Sequence, residues 1–228
     1  MALIPAAPGV PERAEAVLEK PEVLAARPGV LAAVNSNFFA ILPAPAGVKP
    51  APRSRFSVGA PVDILGWAKD ATREASPAQA GYASFWTDLA GRGHIGMADA
   101  PGEARMAVSG RGELVRAGKC VATADKPLHP RTAVGVDAEG KMLWLVVVDG
   151  RQAGYSEGMS LGELAALMKD LGCWDALNLD GGGSATMLLA SQSEKLDLVN
   201  RPSAGSARGV PVMLGIQRRS SSTADERR

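Results

Sequence analysis

"RTAVGVDAEGKMLWLVVVDGR", residues 131–151, is the stretch whose reading decides the fold. An apolar run, a turn of Asp137-Ala138-Glu139-Gly140 and a longer β-branched run ending at Asp149 predict a β-hairpin with a buried second strand. On its C-terminal side, "SLGELAALMKDLG" (160–172) predicts a helix. Ser160 stands as N-cap with Glu163 three residues on, a pairing that satisfies two orphan amide donors reciprocally. Leu161, Leu164, Ala165, Met168 and Leu171 follow helical spacing, and Gly172 stands where a left-handed C-cap belongs. "WDALNL" (174–179) returns as a strand, so Asp149 and Asp180 each end a strand on either side of one helix. Joined by a helical crossover as parallel neighbours, those strands would deliver both carboxylates to one sheet edge.

Further out the pattern is looser. "SATMLLA" (184–190) and "GVPVMLGIQ" (209–217) read as strands, while most prolines fall before residue 131 in short interrupted pieces such as "ILPAPAGVKPAPR" (41–53), which reads as loop. No period of 20 to 50 residues repeats, which argues against a solenoid.

Composition limits the function classes. The chain has 228 residues, 46% of them hydrophobic, enough for one domain with a sizeable core. Twenty-five basic against 24 acidic side chains leave a net charge of +1. There is thus no global pull towards nucleic acid or an anionic membrane, and neither is expected as a partner. No apolar run reaches the roughly 20 residues needed to span a bilayer, and "MALIPAAPGVPER" lacks the basic start and long apolar centre of a signal peptide. The chain therefore reads as soluble, with its compartment open. Cys120 and Cys173 are too few for a disulfide framework or a zinc site, and a single bridge between them stays open.

"LNLDGGGSATM" (177–187) is the other decisive stretch. Three consecutive glycines after an acid are entropically costly to order. Two readings stand: an anion nest of successive N–H groups beside Asp180, with Ser184 adding a donor, or a plain glycine-rich turn. The P-loop needs a following Lys and a helix, the dinucleotide motif needs other glycine spacing, and Thr186 occupies the second glycine position of a nucleophile elbow. The company of the loop favours the nest. Arg151 follows Asp149 and Arg131 opens the hairpin, so two guanidiniums and two carboxylates would suit a phosphate next to a cleavable bond. Each arginine also has the duller reading of a surface charge. Neither His94 nor His129 has a triad or metal-ligand neighbourhood in sequence, and His129 reads as structural.

From His129 to Met187 these residues resemble the central block of the phosphodiester glycosidase family. "VNSNFF" (34–39) is similar to the family's early Asn-x-x-Phe-Phe element, "MAVSGRGELVRAGK" (106–119) to its Gly-then-Leu-Val segment, and "VNRPSAGSARGVPVMLGI" (199–216) to its closing Asn-x-Pro-Ser and Arg element. Asn37 stands where many relatives have a small residue, and residues 40–103 do not visibly match, which leaves the substrate unassigned. The resemblance implies an α+β single domain with a mixed β-sheet and flanking helices over 30–217, after a lead-in of 1–29; the polar tail "RRSSSTADERR" (218–228) itself reads as disordered. The resemblance also implies hydrolysis of a sugar 1-phosphodiester to a free sugar and a phosphomonoester, on a small-molecule or glycan substrate and without a cofactor. Members generally work outside the cytosol. By position, Asp180, Asp149 and Arg151 would be catalytic. Asn35, Arg131, Gly181, Gly182, Gly183, Ser184, Asn200 and Arg208 would bind substrate.

The chemistry fits that set. A departing phosphate has a second pKa near 6 and needs little protonation. What needs stabilising is oxyanion charge, by arginines and amides, and oxocarbenium character, by a carboxylate. Asp180 is then nucleophile or base, and Asp149 its partner in proton handling or in positioning Arg151, with the two exchangeable. Two rival classes remain: a metal-dependent phosphodiesterase with a divalent ion between Asp149 and Asp180, disfavoured because no His accompanies the acids, and a non-catalytic glycan- or phosphate-binding module.

Overall fold

The computed structural model describes residues 1–3, 14–43, 56–97 and 103–218. The hairpin forms. Arg131–Val136 pairs antiparallel with Leu143–Val148, from Arg131 opposite Val148 to Val136 opposite Leu143. Asp137 closes the turn by accepting from the amides of Lys141 and Met142 at 2.7 and 2.9 Å.

Burial reverses the expectation. Arg131–Val136 is buried from Thr132 onward, whereas Leu143–Val148 is half-buried throughout. The cause is place in the sheet, whose order is Lys119–Cys120, Glu113–Arg116, Asp175–Leu179, Arg131–Val136, Leu143–Val148. The β-branched strand lies on an edge, and its less bulky partner is flanked on both sides.

The helix does not join neighbouring parallel strands either. Asp175–Leu179 pairs antiparallel with the far side of Arg131–Val136. The strands ending at Asp149 and Asp180 therefore run in the same direction with one opposed strand between them. Their carboxylates still reach one edge, and Arg131 starts there between them, since Arg131 faces Val148 and Thr132 faces Leu179. The class is α+β in a single domain, as expected. Every strand pairing among the described residues is antiparallel, so strands run in the same direction only as second neighbours.

The helix spans Leu161–Asp170 with the capping box complete: the Glu163 amide donates to Ser160 Oγ at 3.1 Å and the Ser160 amide to Glu163 Oε2 at 2.8 Å. Such a cap contributes about 1 kcal/mol. Gly172 follows at φ +95°, the left-handed exit. Leu164, Ala165 and Met168 are fully buried against Leu114, Ala133, Cys173 and Ala176. Burying Leu164 or Met168 is worth about 1.5–3 kcal/mol each. The strand beneath must be bare at Gly135, where a Cβ would collide with Cys173 and the Met168 methyl. Leu171 stays exposed at the helix end, off the packed face. Cys173 is buried, Cys120 is exposed, and both are free thiols, so the bridge left open by the sequence does not form.

The opposite face of this sheet holds the main core, where Val134, Leu177 and Leu179 pack with Val34, Ile64, Phe85, Val108 and Leu214. Apart from Ile64, these partners come from a second sheet, ordered Ala2–Leu3, Met213–Gln217, Val30–Asn35, Met187–Ala190, Leu196–Leu198, and a third built around Met106–Gly110 and Ala83–Thr87. A small sheet of Ala16–Val17, Pro61–Ile64 and Phe39–Ile41 completes the body. The strand expected over 184–190 begins only at Met187, because Gly182–Ser184 forms a 3-10 turn.

Within the N-terminal lead-in, Ala2 pairs with Leu214, and Leu18, Leu24 and Ala25 are buried. Most of the loop read from 41–53 and all of the tail beyond Arg218 lie outside the described residues. Among the described residues no helix is long and apolar enough to cross a membrane.

Candidate active site

Asp180 sits where the first and second sheets meet. Its strand ends at Leu179, and its amide donates to the Ser36 carbonyl at 2.8 Å, just past the strand Val30–Asn35. The residue is 8% exposed. Burial pushes its carboxyl up to about 6, against the opposing pull of the Ser184 hydroxyl, the Arg208 guanidinium and the Gly181 amide. Arg208 Nη2 lies 3.7 Å from Asp180 Oδ2. The same guanidinium donates to Ser184 Oγ from Nε at 3.0 Å and from Nη2. Fully buried Ser184 thus accepts from Arg208, and its hydroxyl, like the guanidinium, favours the ionised form of Asp180.

The glycines serve this site differently from the expected nest. The Gly182 amide donates to the Pro130 carbonyl at 2.8 Å and the Ser184 amide to the Gly181 carbonyl at 3.1 Å, so main-chain oxygens take amides the nest would have aimed at an anion. The 3-10 turn takes the Ser184 amide, and a separate segment takes that of Gly182. What the missing side chains permit is close approach. A Cβ on Gly182 would lie 3.2 Å from Arg151 Nη1, and one on Gly183 would lie 3.1 Å from Arg208 Nη1. Gly182 also requires φ +58°. Gly181 leaves room for the Pro130 carbonyl and the Arg131 backbone. Two guanidiniums therefore close on one glycine turn, with Asp180 at its start.

Arg151 reaches this place from a left-handed backbone, φ +57°. Its Nη2 and Nε stand 3.2 and 3.4 Å from His129 Nδ1. An arginine can only donate, so that nitrogen is the unprotonated one. Burial, then Arg151, then Arg131 hold the imidazole below its usual range, which is consistent with the acceptor role. Arg131 is half-buried at the same edge, but its guanidinium is committed to the carbonyls of Met159 (2.8 Å) and Pro127 (2.9 Å).

Asp149 reaches the edge as an acceptor already engaged. Its oxygens take hydrogen bonds from Asn200 Nδ2 at 2.9 Å, the Arg201 amide at 3.0 Å and the Tyr155 hydroxyl at 3.1 Å. Asn200 in turn donates to the Ala185 carbonyl and accepts from the Met187 amide. Asn35 is buried. Its amide donates to the Asp180 carbonyl and accepts from Thr132 Oγ1 at 2.8 Å and the Thr186 amide at 3.1 Å. Of the residues read from sequence, the structure brings Asp180, Ser184, Arg208, Arg151 and the three glycines together. Arg131, Asn35, Asn200 and Asp149 brace that group through protein contacts.

The sequence marks His129 as structural, yet it holds Arg151. Tyr155, Arg201, Phe39 and Phe56 were not singled out for the site. Tyr155 is exposed beside Asp149 with the Arg201 guanidinium 4.9 Å from its ring centre, and Phe39 and Phe56 flank Arg208. Phe39 is the second aromatic of "VNSNFF", Tyr155 and Arg201 fall within family-like stretches, and Phe56 lies in the unmatched 40–103. Asn37 turns out to be a buried joint: it donates to the carbonyls of Leu65 and Trp67 and accepts from the Ser109 amide. Among the described residues no three His, Cys, Asp or Glu side chains gather as metal ligands would.

The sequence model of the phosphodiester glycosidase family matches residues 28–217. A 62-residue segment is 44% identical to mouse N-acetylglucosamine-1-phosphodiester alpha-N-acetylglucosaminidase, spanning 27% of this chain and 11% of the mouse protein. In three dimensions the chain is similar to the catalytic domain of the zebrafish enzyme of that name, auto-inhibited by its pro-peptide. That likeness has a TM-score of 0.68 at 24% identity and covers 96% of this chain and 72% of the other. A hypothetical protein from Synechocystis shares the fold at a TM-score of 0.53 and 16% identity, over 93% of this chain and 56% of that one.

Proposed function

The chain belongs to the phosphodiester glycosidase family, and from that premise we propose that it hydrolyses a sugar 1-phosphodiester at the bond between C1 and the phosphate oxygen. The observation that carries the reading is Asp180: a buried carboxyl pushed up to about 6, at the start of a turn on which two guanidiniums converge. A base works best when its pKa lies near the operating pH.

In the proposed reaction the C1–O bond breaks and its electron pair leaves on the phosphate oxygen. Arg151 and Arg208 stabilise the charge gathering there, where preorganised donors lower a barrier most. Water adds to C1 through its oxygen, and its proton passes to Asp180. The leaving phosphate needs little protonation because its second pKa lies near 6. Asp149 then positions and does not transfer a proton, since its oxygens already hold Asn200, the Arg201 amide and Tyr155. Ser184 orients the base and Arg208 together.

The substrate class to try first follows from the relatives: an N-acetylglucosamine 1-phosphodiester with a chromogenic alcohol on the phosphate. Release of free sugar and phosphomonoester, undiminished by a chelator, is the expected result. Absence of turnover across a panel of sugar 1-phosphodiesters would remove the reading, and turnover that a chelator abolishes would replace it with metal-assisted attack at phosphorus.

A further inference from the structure

Arg208 carries two duties in the proposed site: it anchors Ser184 and it faces both Asp180 and the glycine turn. An arginine has several rotatable bonds, so packing against its guanidinium helps to fix where it points. The guanidinium has close neighbours besides Ser184. On one side lies the Gly183 backbone, close enough that a Cβ there would stand 3.1 Å from Nη1. Two aromatic rings also meet the guanidinium, with Cζ 4.2 Å from the Phe56 ring centre and 5.6 Å from that of Phe39. Those rings meet edge to face, centroids 6.3 Å apart at 87°. Each therefore restrains the other, an arrangement aromatic pairs favour. Phe39 opens the strand Phe39–Ile41, and Phe56 lies just before the strand Pro61–Ile64, which pairs with it.

We propose that Phe56, braced by Phe39, is a positioning residue for the reaction: its ring face holds the Arg208 guanidinium flat against the glycine turn, where it can serve Ser184, Asp180 and a substrate phosphate at once. The inference rests on the function proposed above for the activity it affects, and on geometry alone for the placement of Arg208. A cation over a ring face is held by the ring's quadrupole, most strongly where water is excluded, and a guanidinium also stacks on the ring as a lysine ammonium cannot. The side chain of Arg208 is 24% exposed, so the contact is partly shielded from solvent. An aliphatic residue of similar volume keeps the packing and loses the attraction. Arg208 would then move away from Asp180, whose ionised form loses a nearby positive charge, and from the phosphate position.

The test compares Phe56→Leu and Phe56→Tyr, each alone and in an Arg208→Lys background, after circular dichroism and urea denaturation establish that each is folded. Two readouts are taken. The titration midpoint of Asp180 is followed by carboxyl-carbon NMR without substrate, and kcat and KM are measured on the chromogenic sugar phosphodiester. Phe56→Leu is expected to raise the Asp180 midpoint by about half a unit or more, to lower kcat/KM about tenfold, and to move the acid limb of the pH profile upward in parallel. Phe56→Tyr keeps the ring face and is expected to restore both readouts. In the Arg208→Lys background the two substitutions should differ little, because the planar partner is gone. An unchanged Asp180 midpoint and unchanged kcat/KM in folded Phe56→Leu, or an equal loss from Phe56→Leu in both backgrounds, would overturn the proposal. If the protein turned over no sugar phosphodiester, the proposed function would fail while the NMR arm still decided whether Phe56 positions Arg208. Should Phe56→Leu not fold, Phe39→Leu loosens the same clamp from its other side and is read in the same way.

Discussion

Replacing Asp180 by Asn should make the protein more stable at neutral pH while removing its activity. The carboxyl is buried and pushed from 3.8 to about 6, burial outweighing the favourable contributions of Ser184, Arg208 and Gly181. A raised carboxylate pKa means that the fold prefers the protonated form. Below about pH 4 the group is protonated in folded and unfolded chains alike, and its ionisation contributes nothing. As pH rises from about 4 to about 6 the unfolded chain ionises first and stability falls; above that window the penalty is complete. A shift of roughly two units corresponds to about 3 kcal/mol. Asn keeps the shape and a carbonyl that can accept from Ser184, so the variant should escape the penalty. For a chain of this size, 3 kcal/mol is about 6–12 °C in Tm. Urea denaturation of both proteins at pH 4 and pH 8 would measure it. The gap should be near zero at pH 4 and close to full at pH 8, while kcat falls 100-fold or more, about 3 kcal/mol of transition-state stabilisation. A variant no more stable than the parent at pH 8, or a gap that does not change with pH, would refute the placement of a strained, functional acid at this position.

The remaining predictions concern the residues that brace the site. Gly182→Val forces a β-branched residue to φ +58° and pushes a side chain into the Arg151 guanidinium. The backbone strain costs about 1–2 kcal/mol, and calorimetry should show inorganic phosphate or a sugar phosphate binding at least tenfold more weakly. Asp149→Ala strips the acceptor from Asn200, the Arg201 amide and Tyr155, and should lower unfolding free energy by about 1–3 kcal/mol in urea titrations. Ser160→Ala removes the helix cap and should cost about 1 kcal/mol, read as a fall in Tm of about 2–4 °C.

What the sequence made legible was local. Ser160, Glu163 and Gly172 mark the helix because a capping box and a left-handed exit are encoded within one turn of each end. The hairpin was legible from its turn for the same reason. Which of its strands would be buried was not, because edge or centre is decided when Asp175–Leu179 docks on the far side of Arg131–Val136. The alternation of residues along Leu143–Val148 holds no trace of that choice. Family resemblance groups Asp180, Ser184 and Arg208, and in the structure the Arg208 guanidinium lies beside both of the others. The resemblance could not separate contact from support. Asn35 and Asn200 look like substrate ligands in a motif, but Asn35 is bonded to groups 97, 145 and 151 residues away in sequence, and such bonds leave no local pattern. The glycine run was read as a nest because consecutive glycines permit one; the Pro130 carbonyl, from a separate segment, took the Gly182 amide instead. His129 carries no motif of its own, because its partner is an arginine, which makes neither a triad nor a metal site.

The measurement that bears most directly on the central claim is the fate of solvent oxygen. If Asp180 delivers water to C1 while Arg151 and Arg208 hold the departing phosphate, hydrolysis in water enriched with the heavy isotope ¹⁸O must place the label on the released sugar and leave the phosphomonoester unlabelled. Mass spectrometry of both products after a single turnover distinguishes the outcomes before the sugar can exchange its anomeric oxygen. Label in the phosphomonoester would mean that phosphorus is attacked, and would contradict the account even with the substrate class correct.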